Sequence, residues 1–170
     1  MEQRQRANRT AGMSRIVAID FGLKRVGLAV TDPLGMFATA LDTVARKEVR
    51  SYLKKYHQEH TISAFVIGDP RTLANQPSSV AGAIAAFRRE LLADFPDISQ
   101  HGVDERFTSR IALQTIAGSD LPRLKRRDKG LADRISAVLL LQSYLETVQH
   151  RAEQGAAEGV DNPIKPIDQP

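Results

Sequence analysis

A chain of 170 residues with 42% hydrophobic content is large enough for one domain with a substantial core and too short for two. It contains no cysteine, which removes disulfides, thiolate metal sites and cysteine nucleophiles together and leaves oxygen and histidine as the donors for any metal. Its 24 Lys and Arg against 20 Asp and Glu are too small an excess to name a polyanionic partner, while the absence of any run near the roughly 18 apolar residues of a membrane span, and of an apolar centre in MEQRQRANRT, excludes a secretion signal of the usual kind and predicts a cytoplasmic protein with no membrane partner.

Residues 1–14 are polar and aperiodic, so they are expected to be a disordered lead, with Met13 an alternative start. A single domain is expected over residues 15–150. RIVAID (15–20) is β-branched-rich, and VGLAVT (26–31) follows a short glycine-containing turn at the spacing of an antiparallel hairpin. MFATALDTV (36–44), opened by the turn DPLG, adds a third strand to this meander. From Arg46 to His60 the apolar residues Val49, Leu53 and Tyr56 mark one face of an amphipathic helix.

SAFVIG (63–68) is a fourth strand, and Pro77 to Ala93 a helix with proline near its first turn. ISQHGVDE (98–105) is the fifth strand candidate, followed by a short helix opening at Thr108 or Ser109 as N-cap. The last helix, Leu131 to about His150, carries ISAVLLLQSYL and is too apolar around its girth to stand free of the sheet. Residues 151–170, punctuated by Gly and Pro, are expected to be a flexible tail. The resulting fold class is α/β, a mixed five-stranded sheet in which the last two strands run parallel to the first, with helices on both faces.

In such a sheet ligands gather beyond the carboxyl ends of the parallel strands. Asp20 and Glu105 lie there by topology, and Asp133 sits in the first turn of the final helix on the same face as Ser136, Ala137, Leu140 and Tyr144. Three carboxylates converging in a partly buried cleft repel one another by roughly 4 kcal/mol per pair at about 4 Å, so they must take up protons or a cation. Oxygen donors without HxxH or HExxH spacing favour Mg²⁺ or Mn²⁺. Such a metal site suits phosphodiester hydrolysis and needs no protein nucleophile. Lys24, Arg25 and Arg106 are candidates to hold non-bridging phosphate oxygens, and Arg123, Lys125, Arg126, Arg127 and Lys129 to track the nucleic-acid backbone further out.

Each residue also has a plainer explanation. Asp20 is a common turn former after a strand, Asp133 an acid complementing a helix dipole, Glu105 a partner for Arg106 or Arg110, and the basic 121–130 segment a solvated connector. The weight lies in the set, placed on one edge by the topology.

IDFGLKRVGLAVTDP, IGDPRTL, DERFTS and DRISAVLLLQSYLE, in this order and spacing, resemble the YqgF (RuvX-like) family, whose members are described as Holliday junction resolvases or pre-16S ribosomal RNA nucleases. The resemblance spans roughly residues 15–147. It implies a ribonuclease-H-like fold and an acidic metal-binding, catalytic site at Asp20, Glu105 and Asp133, with Asp104 an outer partner; Arg71 is a further candidate for nucleic-acid binding. Two positions depart from the family pattern: Asp69 where the loop after the fourth strand usually has leucine before Pro70, and Ser136 where alanine is usual. Asp69 is accordingly a candidate extra acid of the metal site, or a loop acid facing water.

The implied activity is metal-dependent cleavage of a structured ribosomal RNA precursor, of branched DNA, or of both; branched DNA favours a homodimer presenting two sites. The alternatives are a nucleic-acid-binding module of the same fold that does not turn over and an actin-like phosphate-binding ATPase, whose domain repeats twice where only one copy fits here. With no Trp, three Tyr and six Phe, recognition of backbone and shape is expected over base stacking.

Overall fold

The computed structural model describes residues 14–69, 78–104 and 129–158. In chain order these form β1 (Arg15–Phe21), β2 (Arg25–Thr31), β3 (Ala38–Ala45), α1 (Val49–Glu59), β4 (Ile62–Asp69), α2 (Ser78–Asp94), β5 (Ser99–Asp104) and α3 (Lys129–Glu158). The sheet order is β3-β2-β1-β4-β5. β1 to β3 form the expected antiparallel meander, and β4 and β5 run parallel to β1.

The period-two alternation of the central strands divides the interior into two layers. Val17, Ile19 and Phe21 of β1, with Val26, Leu28 and Val30 of β2 and Phe65 and Ile67 of β4, point to the side covered by α1 and α2. There Val49, Leu53 and Tyr56 of α1 and Ile84, Phe87 and Leu91 of α2 close over them. Ala18, Ala29 and Val66 point the other way and meet Ala137, Leu140 and Leu141 of α3. Small residues on that side let the last helix lie close to the sheet. Each large aliphatic or aromatic side chain sealed in these layers contributes roughly 1.5–3 kcal/mol over its exposed state.

Local chemistry fixes the connections. In the β2–β3 turn, Asp32 Oδ1 accepts from the backbone N–H of Met36 and of Phe37, both at 2.7 Å, and Oδ2 from that of Leu34 at 3.1 Å. Gly35 supplies the left-handed residue the turn needs, with φ 70°. Between α1 and β4, His57 Nδ1 accepts from the Ile62 N–H at 3.1 Å. Outside the sheet, the Asp94 carboxylate joins α2 to α1 through Arg50 Nε at 2.6 Å and Lys54 Nζ at 2.7 Å.

Two boundaries differ from expectation. α1 begins at Val49 rather than Arg46, because Ala45 and Glu48 close a turn first, with the Glu48 N–H donating to the Ala45 carbonyl at 2.8 Å. α3 continues to Glu158, past His150 and through the first eight residues assigned to a flexible tail. Residues 149–154 there are exposed, so propensity rather than packing carries the helix: the segment is rich in Ala, Glu and Gln, and Gly155 alone costs only about 1 kcal/mol. The lead at 1–13, the helix expected at Thr108 or Ser109 and residues 121–128 of the basic segment lie outside the described residues.

Candidate active site at the carboxyl end of the central strand

Asp20 is the sixth residue of β1, the middle strand, and alternation gives it to the α3 side, in line with Ala18. Directly across the antiparallel pair stands Gly27 of β2. A Cβ at that position would collide with the backbone carbonyl of Asp133, so the glycine is what allows the first turn of α3 to come down onto the sheet beside Asp20. A second tie holds the same turn: Thr43 Oγ1 of β3 donates to the Gly130 carbonyl at 2.7 Å.

This approach makes Asp20 and Asp133 electrostatic neighbours. The Asp20 carboxyl is pushed up from 3.8 to about 6, chiefly because burial disfavours its charged form; the Ser136 hydroxyl, donating to it, opposes the rise, and the negative Asp133 adds to it. Ser136 is itself buried, one helical turn beyond Asp133. Asp133 is more open and accepts from Arg25 Nε through Oδ2 at 2.9 Å, an ion pair whose side chains are 42% and 26% exposed, worth about 1 kcal/mol or less. Arg25, expected to bind phosphate, therefore also steadies an acid.

Of the three predicted acids, the structure brings Asp20 and Asp133 together; Glu105 lies outside the described residues, as do Arg71, Arg106, Arg123, Lys125, Arg126 and Arg127. Lys129 opens α3. Asp69 and Asp104 end β4 and β5 as a register pair, and because β1, β4 and β5 are parallel these strands finish at the sheet edge that also carries Asp20. Among the described residues, no group of three or more His, Asp or Glu is gathered closely enough to hold a metal. Lys24 is exposed in the β1–β2 turn.

Three features at this edge escape sequence reasoning. Gly27 reads as a turn or packing glycine, and its contact with α3 depends on tertiary placement. Ser136 shares a helix face with Asp133, which is a usable signal, but its bond to Asp20 is not visible in one dimension. Arg46, just past β3, donates its backbone N–H to the Lys24 carbonyl at 3.1 Å and lays its guanidinium over the Phe21 ring, 5.2 Å from the centroid.

A middle strand with a partly buried aspartate next to its carboxyl end, a meander on one side of it, parallel strands on the other and an acid delivered by the last helix make up a ribonuclease-H-like fold. Among solved structures, Thermus thermophilus RuvC in complex with a Holliday junction substrate shares this fold with a TM-score of 0.51 at 14% identity, covering 79% of this chain and 96% of that one. The chain belongs to the RuvX family, described as Holliday junction resolvase, whose sequence pattern matches residues 14–147. Relatives from Azobacteroides pseudotrichonymphae and Porphyromonas gingivalis, each named "Putative pre-16S rRNA nuclease", are 43% and 45% identical over 134 residues, covering 79% of this chain and 97% of each relative.

Proposed function

We propose that this protein is a metal-dependent nuclease that hydrolyses nucleic-acid phosphodiester bonds in the cytoplasm, with the 5′ end of precursor 16S ribosomal RNA as its main substrate. The observation that carries this reading is the apposition of Asp20 and Asp133 at the end of the middle strand. Burial and mutual repulsion raise the proton affinity of Asp20, and a site that favours added positive charge, built from carboxylate oxygens, fits a hard divalent cation. Asp20 and Asp133, together with Glu105, would hold such an ion, with Asp104 as outer partner and Asp69 as a candidate extra acid. Bound there, Mg²⁺ or Mn²⁺ supplies an activated water and offsets the charge that develops on the phosphate.

The chain's own groups supply the rest. Ser136 keeps the Asp20 carboxylate oriented, Gly27 and Thr43 fix the height of Asp133 above the sheet, and Arg25 balances its charge. Lys24, Arg25 and Arg106 hold non-bridging oxygens, with Arg71 a further nucleic-acid contact, while Arg123, Lys125, Arg126, Arg127 and Lys129 follow the backbone outward. The family's description as Holliday junction resolvase supports a second substrate, branched DNA, for which a homodimer would present two sites. Trimming an RNA end needs only one.

The test is parallel cleavage of a precursor RNA carrying its 5′ extension and of a four-way DNA junction, with Mg²⁺ or Mn²⁺, with chelator, and with Asp20→Asn. Metal-dependent RNA cleavage that falls more than about 100-fold in Asp20→Asn is the expected result. Tight binding without cleavage under any metal would make the protein a binding module; junction cleavage with RNA left intact would make it a resolvase.

A further inference from the structure

The β1–β2 turn and the β3–α1 turn lie side by side at the carboxyl end of β1, tied by the bond from the Arg46 N–H to the Lys24 carbonyl at 3.1 Å. The tie follows from the sheet register, in which Arg25 pairs with Ala45. Lys24, Arg46 and Lys47 are all exposed there. Among the described residues none of the three has a carboxylate partner, in contrast to Arg25 and Arg50.

Arg46 is also pre-positioned. Its guanidinium rests over Phe21, 5.2 Å from the ring centroid, and that ring is itself fixed against Phe87 at 4.9 Å. A guanidinium lying on an aromatic face keeps its N–H edge available, and the stack reduces the freedom lost when that edge grips a planar or tetrahedral anion. Phe21 is the residue after Asp20, and consecutive strand residues point to opposite faces. Asp20 thus serves the α3 side, while Phe21, the next residue of β1, carries Arg46 on the α1 and α2 side. Leu23, 51% exposed, lies at the turn between them and offers an apolar contact for a sugar.

We propose that Arg46, stacked on Phe21 and flanked by Lys24 and Lys47, is a second phosphate-binding position that carries the nucleic-acid chain over the end of the sheet, away from the cleaved bond. This rests on the nuclease reading, which supplies the chain to be carried, but concerns residues outside the acidic site. It assigns the β3–α1 turn a role in substrate binding and gives the chain a direction: across the β1–β2 turn, from the α3 side to the α1 side.

The experiment measures affinity of the full chain for a 5′-extended precursor RNA across about 50 to 200 mM salt in the Asp20→Asn background, which is expected to hold RNA without cutting it. Arg46→Ala is expected to weaken binding about tenfold and to lower the slope of log affinity against log salt by about one. Arg46→Lys keeps the charge but not the planar stack, so it restores the slope while binding stays several-fold weaker. Lys55→Ala, which removes an equal charge from the exposed face of α1, is the control and is expected to stay within about twofold. In cleaving protein, the Arg46→Ala loss falls on KM more than on kcat.

Parent-like affinity and slope in Arg46→Ala, or an equal loss in Lys55→Ala, overturns the proposal. Wild-type cleavage of the same RNA, measured alongside, separates the two claims. Cleavage with an indifferent Arg46 sinks this inference alone, whereas an Arg46-dependent slope without wild-type cleavage sinks the nuclease reading and leaves the binding position standing. If Arg46→Ala fails to fold, Arg46→Lys decides by the same comparison.

Discussion

Gly27 and Asp133 are in backbone contact so close that no side chain fits between them. The relationship couples a packing constraint to a chemical one, because the strand residue opposite Gly27 is Asp20. Gly27→Ala is therefore expected to lift the first turn of α3 and separate the two acids. The variant should lose about 1–3 kcal/mol of stability from overpacking and nearly all cleavage. Urea unfolding and a cleavage assay on the same preparation check this; native stability with full activity would show that α3 can shift without consequence.

The raised proton affinity of Asp20 has a definite sign in stability. Its carboxyl titrates near 6 in the folded chain against 3.8 as reference, so folding takes up a proton between those values. The favourable contribution is complete below about pH 4 and is lost as pH rises through 6, up to about 3 kcal/mol. With chelator present, Asp20→Asn should be more stable than wild type at pH 8 and equal to it at pH 4. Denaturant titrations at the two pH values measure the difference, and added Mg²⁺ should stabilise wild type while leaving Asp20→Asn largely unmoved.

Ser136→Ala removes a donor from the Asp20 carboxylate. The Asp20 titration, followed by carboxyl NMR in chelator, should move upward from about 6 by up to about one pH unit. Metal affinity should weaken by roughly 10–100-fold. An unmoved titration would show that the hydroxyl is spent elsewhere.

Far from the site, Asp94 is held near 2 by hydrogen bonds from Arg50 and Lys54. A depressed carboxylate contributes stability above its reference value of 3.8 that fades as pH falls through 2. Asp94→Asn should lower the thermal midpoint by roughly 2–4 °C at pH 7, with the gap to wild type narrowing towards pH 2. Cleavage at neutral pH should be unchanged, since the network joins α1 to α2 and touches nothing at the acidic edge.

Much of the frame is legible in one dimension because its signals are local. Val49, Leu53 and Tyr56 mark the buried face of α1 by spacing alone, and all three are buried. The crossovers force β4 and β5 parallel to β1, which puts Asp20, Asp69 and Asp104 on one edge before any coordinate is known. Asp133, by its helical phase with Ala137 and Leu140, falls on the inward stripe of α3. What stays hidden depends on pairs of distant segments: Gly27 under Asp133, Thr43 on Gly130, Ser136 on Asp20 and Arg46 on Phe21 all join residues with no sequence pattern linking them. The end of α3 is missed for the opposite reason, since Gly155 is a strong local signal for a stop and the surrounding helix formers outweigh it.

α3 bears an acid at one end of its inward stripe and, within two turns, the side chains that seal one face of the sheet. Asp133 has no hinge of its own: withdrawing it as a rigid part of the helix would drag Ala137 and Leu140 off Ala18 and Ala29. Opening the cleft from this side is thus a partial unfolding event, and heat should extinguish hydrolysis and tertiary order along a single curve.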